Sequence, residues 1–147
     1  MEFLFISLIV ALDQITKFIV KLKLRPIGNI DFINGYFSLT YVENRGAAFG
    51  IFRDKKWMLV GVTAIVVIFM LIYLGRNRNI SKWIKISFVL IIAGAIGNLI
   101  DRVCLSYVVD FIHFYVKNHD LPVFNFADLS VVSGTILLAI NLLLAKD

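Results

Sequence analysis

Apolar residues along the chain gather into long runs, not into the narrow stripes of a soluble helix. Residues 57–74 carry no charge, and residues 83–100 are broken only by Lys85, close enough to one end for its stem to reach the headgroups. Residues 128–145 are uncharged after Asp128. Residues 2–20 are mostly apolar as far as Leu12 and then carry Asp13 and Lys17. About 20 mostly apolar residues in a helix cross a hydrocarbon core roughly 30 Å thick. The pattern therefore predicts four spans, all helical, because lipid leaves an open chain no other way to pair its backbone. The first run is expected to be a span and not a signal peptide, since no basic stretch precedes it and no A-x-A-like site follows.

Between the first two spans the period changes. Asn34-Gly35 is a hairpin dipeptide, and after it Phe37, Leu39 and Tyr41 alternate with Ser38, Thr40 and Val42. This predicts a half-buried strand on the membrane surface within a β-region at about 27–53; an amphipathic interfacial loop is the alternative. No internal repeat is evident.

Composition agrees with the spans. The chain of 147 residues is 60% hydrophobic and 17% charged, with a mean hydropathy of +0.87; soluble domains run at about 45–50% and 25%. The net charge of +5 then belongs to loops and lipid headgroups, and no nucleic-acid partner is expected. The short second link carries Arg76, Arg78, Lys82 and Lys85, which places it and both termini in the cytoplasm. The longer first link holds Lys21, Lys23, Arg25, Arg45, Arg53, Lys55 and Lys56, and a raw count favours the reverse.

The informative residues are the charges that a bilayer should exclude, each costing about 2.5–3.5 kcal/mol on insertion scales. Asp13 and Lys17 are one helical turn apart, as for a structural ion pair or a reacting group. Asn98, Asp101 and Arg102 follow the small residues Ala93, Gly94, Ala95 and Gly97, which permit close helix approach; an interfacial helix end with an Asp–Arg cap is the competing reading. Asp110 interrupts the apolar run Tyr107–Ile112, and Asp128 stands at the start of span four, where a plain helix cap is the competing reading. Span one ends, span three ends and span four begins on the same side. Asp13, Asp101, Asp110 and Asp128 can therefore gather at one leaflet. Two carboxyls held close share a proton, so one serves as base and the other as acid. His113 and His119 have no metal-ligand spacing and read as solvated loop residues. The serines lack a nucleophile-elbow context, and Cys104 reads as interfacial packing. A small transport or channel subunit, or a non-catalytic scaffold, are the other classes compatible with intramembrane acids.

Five segments, in order, carry a family resemblance: Asp13–Lys17, Asn44–Gly50, Gly94–Arg102, Val108–Ile112 and Phe124–Asp128. Together they resemble lipoprotein signal peptidase, the type II signal peptidase of bacteria. Ala93 stands where many members have glycine. The resemblance implies a mainly α membrane protein with four transmembrane helices and a small extracytoplasmic β-sheet domain, forming one peptidase domain over residues 1–147. It implies residence in the bacterial cytoplasmic (inner) membrane, with both termini cytoplasmic and the site toward the outer leaflet. It implies an aspartic endopeptidase, without metal or cofactor, that cuts diacylglyceryl-modified prolipoproteins just before the lipidated cysteine. Asp110 and Asp128 match the family's catalytic pair. Asp13, Lys17, Asn44, Gly46, Asn98, Asp101, Arg102, Asn125 and Ala127 match supporting or substrate-contacting positions. Membrane lipids and the inhibitor globomycin are the other expected partners, and a monomer is expected.

Overall fold

In the computed structural model, which describes residues 1–47, 51–77, 79–116 and 119–144, the apolar runs become helices. They are α1 (Glu2–Lys23), α2 (Lys56–Arg76), α3 (Lys82–Leu105) and α4 (Phe126–Leu144), each long and apolar enough to cross a membrane. Ala48, Phe49, Gly50, Arg78, Ala145 and the side chain of His119 lie outside the described residues.

Helix α3 is the hub and packs against α1, α2 and α4. It buries Ile92, Ala93, Gly94, Gly97 and Asn98, whereas α2 buries only Val67 and Leu74. Most large apolar side chains of α1, α2 and α4 face outward, as expected where lipid is the solvent. The tightest seam joins α3 to α4. A Cβ placed on Gly94 would collide with the carbonyl oxygen of Ala127, so only glycine lets the α4 backbone approach there.

Four strands form an antiparallel sheet at the end of the bundle where α1 finishes and α4 starts: β1 (Asn29–Ile33), β2 (Phe37–Asn44), β3 (Val108–Val116) and β4 (His119–Phe124), in that spatial order. Gly35, at φ +85°, turns the β1–β2 hairpin at the expected dipeptide. Phe37, Leu39 and Tyr41 pack with Val20, Leu24, Phe111 and Ile112, which seats the sheet on the end of α1.

The sheet reaches beyond the expected 27–53 region. Val108, Val109, Asp110, Phe111 and Ile112 of β3 are all buried, whichever face they take. A strand covered on both sides shows no alternation, which is why this segment read only as an apolar run. The solvated-loop reading of His113 is corrected on the same ground. It pairs with Ser38 in the β2–β3 ladder, is half-buried and stacks near Tyr115, with ring centroids 5.1 Å apart.

Candidate active site

Helix α3 also runs further than its apolar stretch, through Leu105, so Asp101 and Arg102 sit within its last turns. That places Asp101 opposite Lys17 of α1. The Lys17 ammonium lies 2.8 Å from Asp13 Oδ2 and 3.1 Å from Asp101 Oδ2, and donates to Asn98 Oδ1 at 3.1 Å. Its three N–H donors are thus accounted for. All four groups are nearly inaccessible.

The two carboxylates extend this knot to other elements. Asp13 Oδ1 accepts from the backbone N–H of Ala127 at 2.9 Å, one of the orphan donors in the first turn of α4. Asp101 Oδ2 accepts from Val109 N–H at 3.0 Å and so fixes the start of β3. Gln14 ties both acids together, its amide donating to Asp13, Asp101 and the Gly97 carbonyl at 3.2, 3.0 and 3.1 Å. Sequence reasoning assigned Gln14 no role. The available sign was its place beside Asp13 in the first matching segment.

A second pair of acids lies on the other side of Asn98. Asp110, on β3, accepts from Asn125 Nδ2 at 2.6 Å and from Asn44 Nδ2 at 2.9 Å. Asp128, in the first turn of α4, accepts from Asn98 Nδ2 at 2.7 Å and from Asn125 N–H at 3.2 Å. In return Asp128 N–H donates to Asn125 Oδ1 at 2.8 Å. This is a reciprocal capping box with Asn125 as the cap. The cap reading of Asp128 therefore holds, and the same carboxyl also lines a cleft with Asp110. Asn125 Nδ2 also reaches Asn98 Oδ1 at 3.1 Å, joining the two clusters.

The loop after β2 closes the arrangement. Asn44 Oδ1 accepts from Gly46 N–H at 3.0 Å, and Arg102 donates to the Gly46 carbonyl at 3.0 Å and the Asn98 carbonyl at 3.4 Å. All eleven singled-out residues, Asp13, Lys17, Asn44, Gly46, Asn98, Asp101, Arg102, Asp110, Asn125, Ala127 and Asp128, belong to one connected network. Cys104, exposed at the end of α3, stays outside it. Among the described residues, no group of three His, Cys, Asp or Glu side chains is placed to hold a metal ion.

Asp110 and Asp128 line a common cleft of about 420 Å³ among α2, α3, α4 and the β3–β4 hairpin. Its outer walls are apolar, with Val62, Val66, Ile91 and Val132. A second hollow of about 800 Å³, lined by Glu43, Arg45 and Arg53, spreads over the sheet. Asp110 and Asn44 border both. Burial, then the charge of Asp128, raises the Asp110 pKa to about 7, against opposing hydrogen bonds from Asn44 and Asn125. Asp110 is thus poised to hold a proton near neutral pH, beside a second carboxyl on the same cleft.

Comparison with known proteins gives a consistent result. The profile of the family described as Signal peptidase (SPase) II matches residues 5–144. A lipoprotein signal peptidase of Clostridium tetani is 48% identical over 141 residues, spanning 95% of this chain and 90% of its own. The protein of that name in Clostridium acetobutylicum is 44% identical over 148 residues, spanning 100% and 96%. Two solved bacterial membrane enzymes superpose with TM-scores of 0.87 and 0.86, each at 34% identity. They cover 97% and 99% of this chain, and 87% and 94% of their own.

Proposed function

The chain belongs to the signal peptidase II family, and from that premise we propose that it removes signal peptides from diacylglyceryl-modified prolipoproteins by aspartic catalysis at Asp110 and Asp128. The observation that carries the reading is the placing of these two buried carboxyls on one cleft, held by Asn125 and Asn98. Near neutral pH the pair holds one proton. The ionised carboxyl takes a proton from water, which attacks the carbonyl carbon before the lipidated cysteine. The other gives its proton to the carbonyl oxygen. Collapse of the tetrahedral intermediate then breaks the C–N bond, with a proton passing to the leaving amine. Asn44 and Arg102 orient the peptide, while Asp13, Lys17 and Asp101 hold the frame.

The topology supports a setting in the bacterial cytoplasmic membrane. An even number of spans leaves both chain ends on one side, together with the Arg76, Lys82 and Lys85 link. The first link is long and folded into the sheet, so its basic residues are discounted; positive-inside sorting of the short link then makes that side cytoplasmic and puts the sheet and the carboxyls at the outer leaflet. A diacylated cysteine is held at that depth by its chains, each buried CH₂ contributing about 0.8 kcal/mol. Globomycin competes for the same cleft, and the protein acts as a monomer among lipids. A channel reading finds less support, because the acids gather at one end of the bundle instead of forming a chain across it.

The test uses purified protein and two peptides that differ only in the diacylglyceryl group. Cleavage just before the cysteine of the lipidated peptide is expected, with a severe loss of kcat/KM for the bare one. Turnover by Asp110→Asn or Asp128→Asn at the wild-type rate overturns the aspartic mechanism.

A further inference from the structure

The end of the bundle away from the carboxyls holds a cavity that the proposed reaction does not use. It lies between the first turns of α1 and α3, has a volume of about 410 Å³ and is bordered by the exposed Phe5. One stripe of each helix builds it. On α3, Lys82, Lys85, Ile86 and Val89 fall at i, i+3, i+4 and i+7 and so share a face. On α1, Glu2, Phe5 and Ile9 fall at i, i+3 and i+7. Both helices start at this end, and each stripe runs about 10 Å along its axis, charged first and apolar after.

That order is the order of a phospholipid. Trp83, exposed in the first turn of α3, marks headgroup depth, and beyond it the walls turn apolar. The mouth is basic. Lys82 has no hydrogen-bond or ion-pair partner among the described residues. Lys85 faces Glu2, the only acid lining the cavity, which the Met1 amine also meets at 3.4 Å. The start of α3 adds partial positive charge: Ser81 takes the Ile84 N–H at 3.2 Å and leaves the first N–H groups of the helix open. A second copy of the chain docked here by twofold symmetry would set Lys82 against its own counterpart. An apolar helix would leave the ammonium without an acceptor. A phosphate supplies one, and basic pockets between helices at a membrane face suit anionic headgroups.

We propose that the α1–α3 cavity binds one anionic phospholipid of the leaflet opposite the carboxyls, with its phosphate at Lys82 and Lys85 and an acyl chain against Phe5, Ile9 and Val89. This requires only that the four helices span a membrane, and it does not rest on the peptidase reading. The lipid joins α1, which carries Asp13 and Lys17, to the hub helix α3.

The experiment titrates purified protein in detergent with phosphatidylglycerol and with phosphatidylcholine of the same chains, and counts bound lipid by native mass spectrometry. Wild type should bind one phosphatidylglycerol more tightly than it binds the choline lipid. Lys82→Gln, at an exposed position, should weaken the anionic lipid about fivefold and leave the choline lipid unchanged. Glu2→Gln should tighten the anionic lipid, because it removes the carboxylate that competes for Lys85. Lys23→Gln, at the opposite end of α1, should change nothing. Equal affinity of wild type for the two lipids overturns the proposal. So does an equal loss with Lys82→Gln and Lys23→Gln, which would mean diffuse attraction and no site. Glycerol phosphate binding as tightly as the whole lipid overturns the role of the apolar walls, and weaker binding by Glu2→Gln overturns the placing of the phosphate.

Discussion

Two groups of buried acids lie within one network, and they are built differently. Asp13 and Asp101 face a lysine directly, at 2.8 and 3.1 Å. Asp110 and Asp128 face neutral amides, chiefly those of Asn44, Asn98 and Asn125. Each of those acids spends its remaining hydrogen-bonding capacity on the backbone of α4 or β3. An amide donor holds a carboxyl in place without supplying a charge. The proton on Asp110 is left free to come and go near neutral pH. On the proposed reading, the first group sets positions and the second carries the chemistry.

Removing the titratable proton should break that contrast most visibly. Asp110→Asn or Asp128→Asn is expected to lower turnover by about 10²–10⁴-fold. The Asp110 change should also reverse sign on stability. The folded-state pKa of Asp110 is about 7, above its ordinary 3.8, so the stability it allows is present below pH 4 and is lost as pH rises through 7. Above pH 7, Asp110→Asn should therefore melt higher than wild type. Thermal unfolding in detergent at about pH 3.5 and pH 8 reads both ends of this window.

The other group should answer in the opposite way. Lys17→Met leaves Asp13 and Asp101 buried without their cation, at an expected cost of about 3–5 kcal/mol. Because Lys17 meets both acids, Asp13→Asn with Lys17→Met still strands Asp101. Only the triple change that adds Asp101→Asn should recover much of the loss. If the double and triple variants melt alike, the lysine does not bridge the two acids.

A third expectation concerns the seam that carries both groups. Gly94→Ala places a methyl group against the Ala127 carbonyl, next to the N–H that Asp13 holds. Overpacking of this kind costs about 1–3 kcal/mol. Melting temperature and turnover should fall together, because α4 carries Asp128.

Much of this was legible in the sequence because a bilayer makes polar residues conspicuous. The four spans, the Asn34-Gly35 turn and every acid of the network stand out against apolar runs. The Asp13–Lys17 spacing announced their pairing, since one helical turn separates them. Long-range geometry was not legible. No spacing indicates that Lys17 also reaches Asp101, that Asn98 links both clusters, or that Asp110 rather than Asp101 shares a cleft with Asp128. Strand β3 escaped because burial on both faces erased its alternation. Gln14 escaped because an amide among apolar residues carries no charge to mark it.

The smallest expected effect is the one that isolates how amides tune the second group. Asn44 donates to Asp110 Oδ2 at 2.9 Å, and a donor of this kind favours the charged carboxylate. Asn44→Ala removes it, so the Asp110 pKa should rise further above 7. Activity that needs this proton is lost as pH rises through that value. The alkaline limb of the pH–rate profile should therefore move upward, by about one unit for a hydrogen bond to a charged group. The acidic limb, set by ionisation of the partner carboxyl, should move less, because Asn44 has no bond to Asp128. Gly46 also loses its Asn44 contact, so the maximum rate should fall. The limb position is read from the shape of the profile and does not depend on that maximum. An alkaline limb that stays in place, or moves down, would show that Asn44 holds the loop and does not set the proton affinity of Asp110.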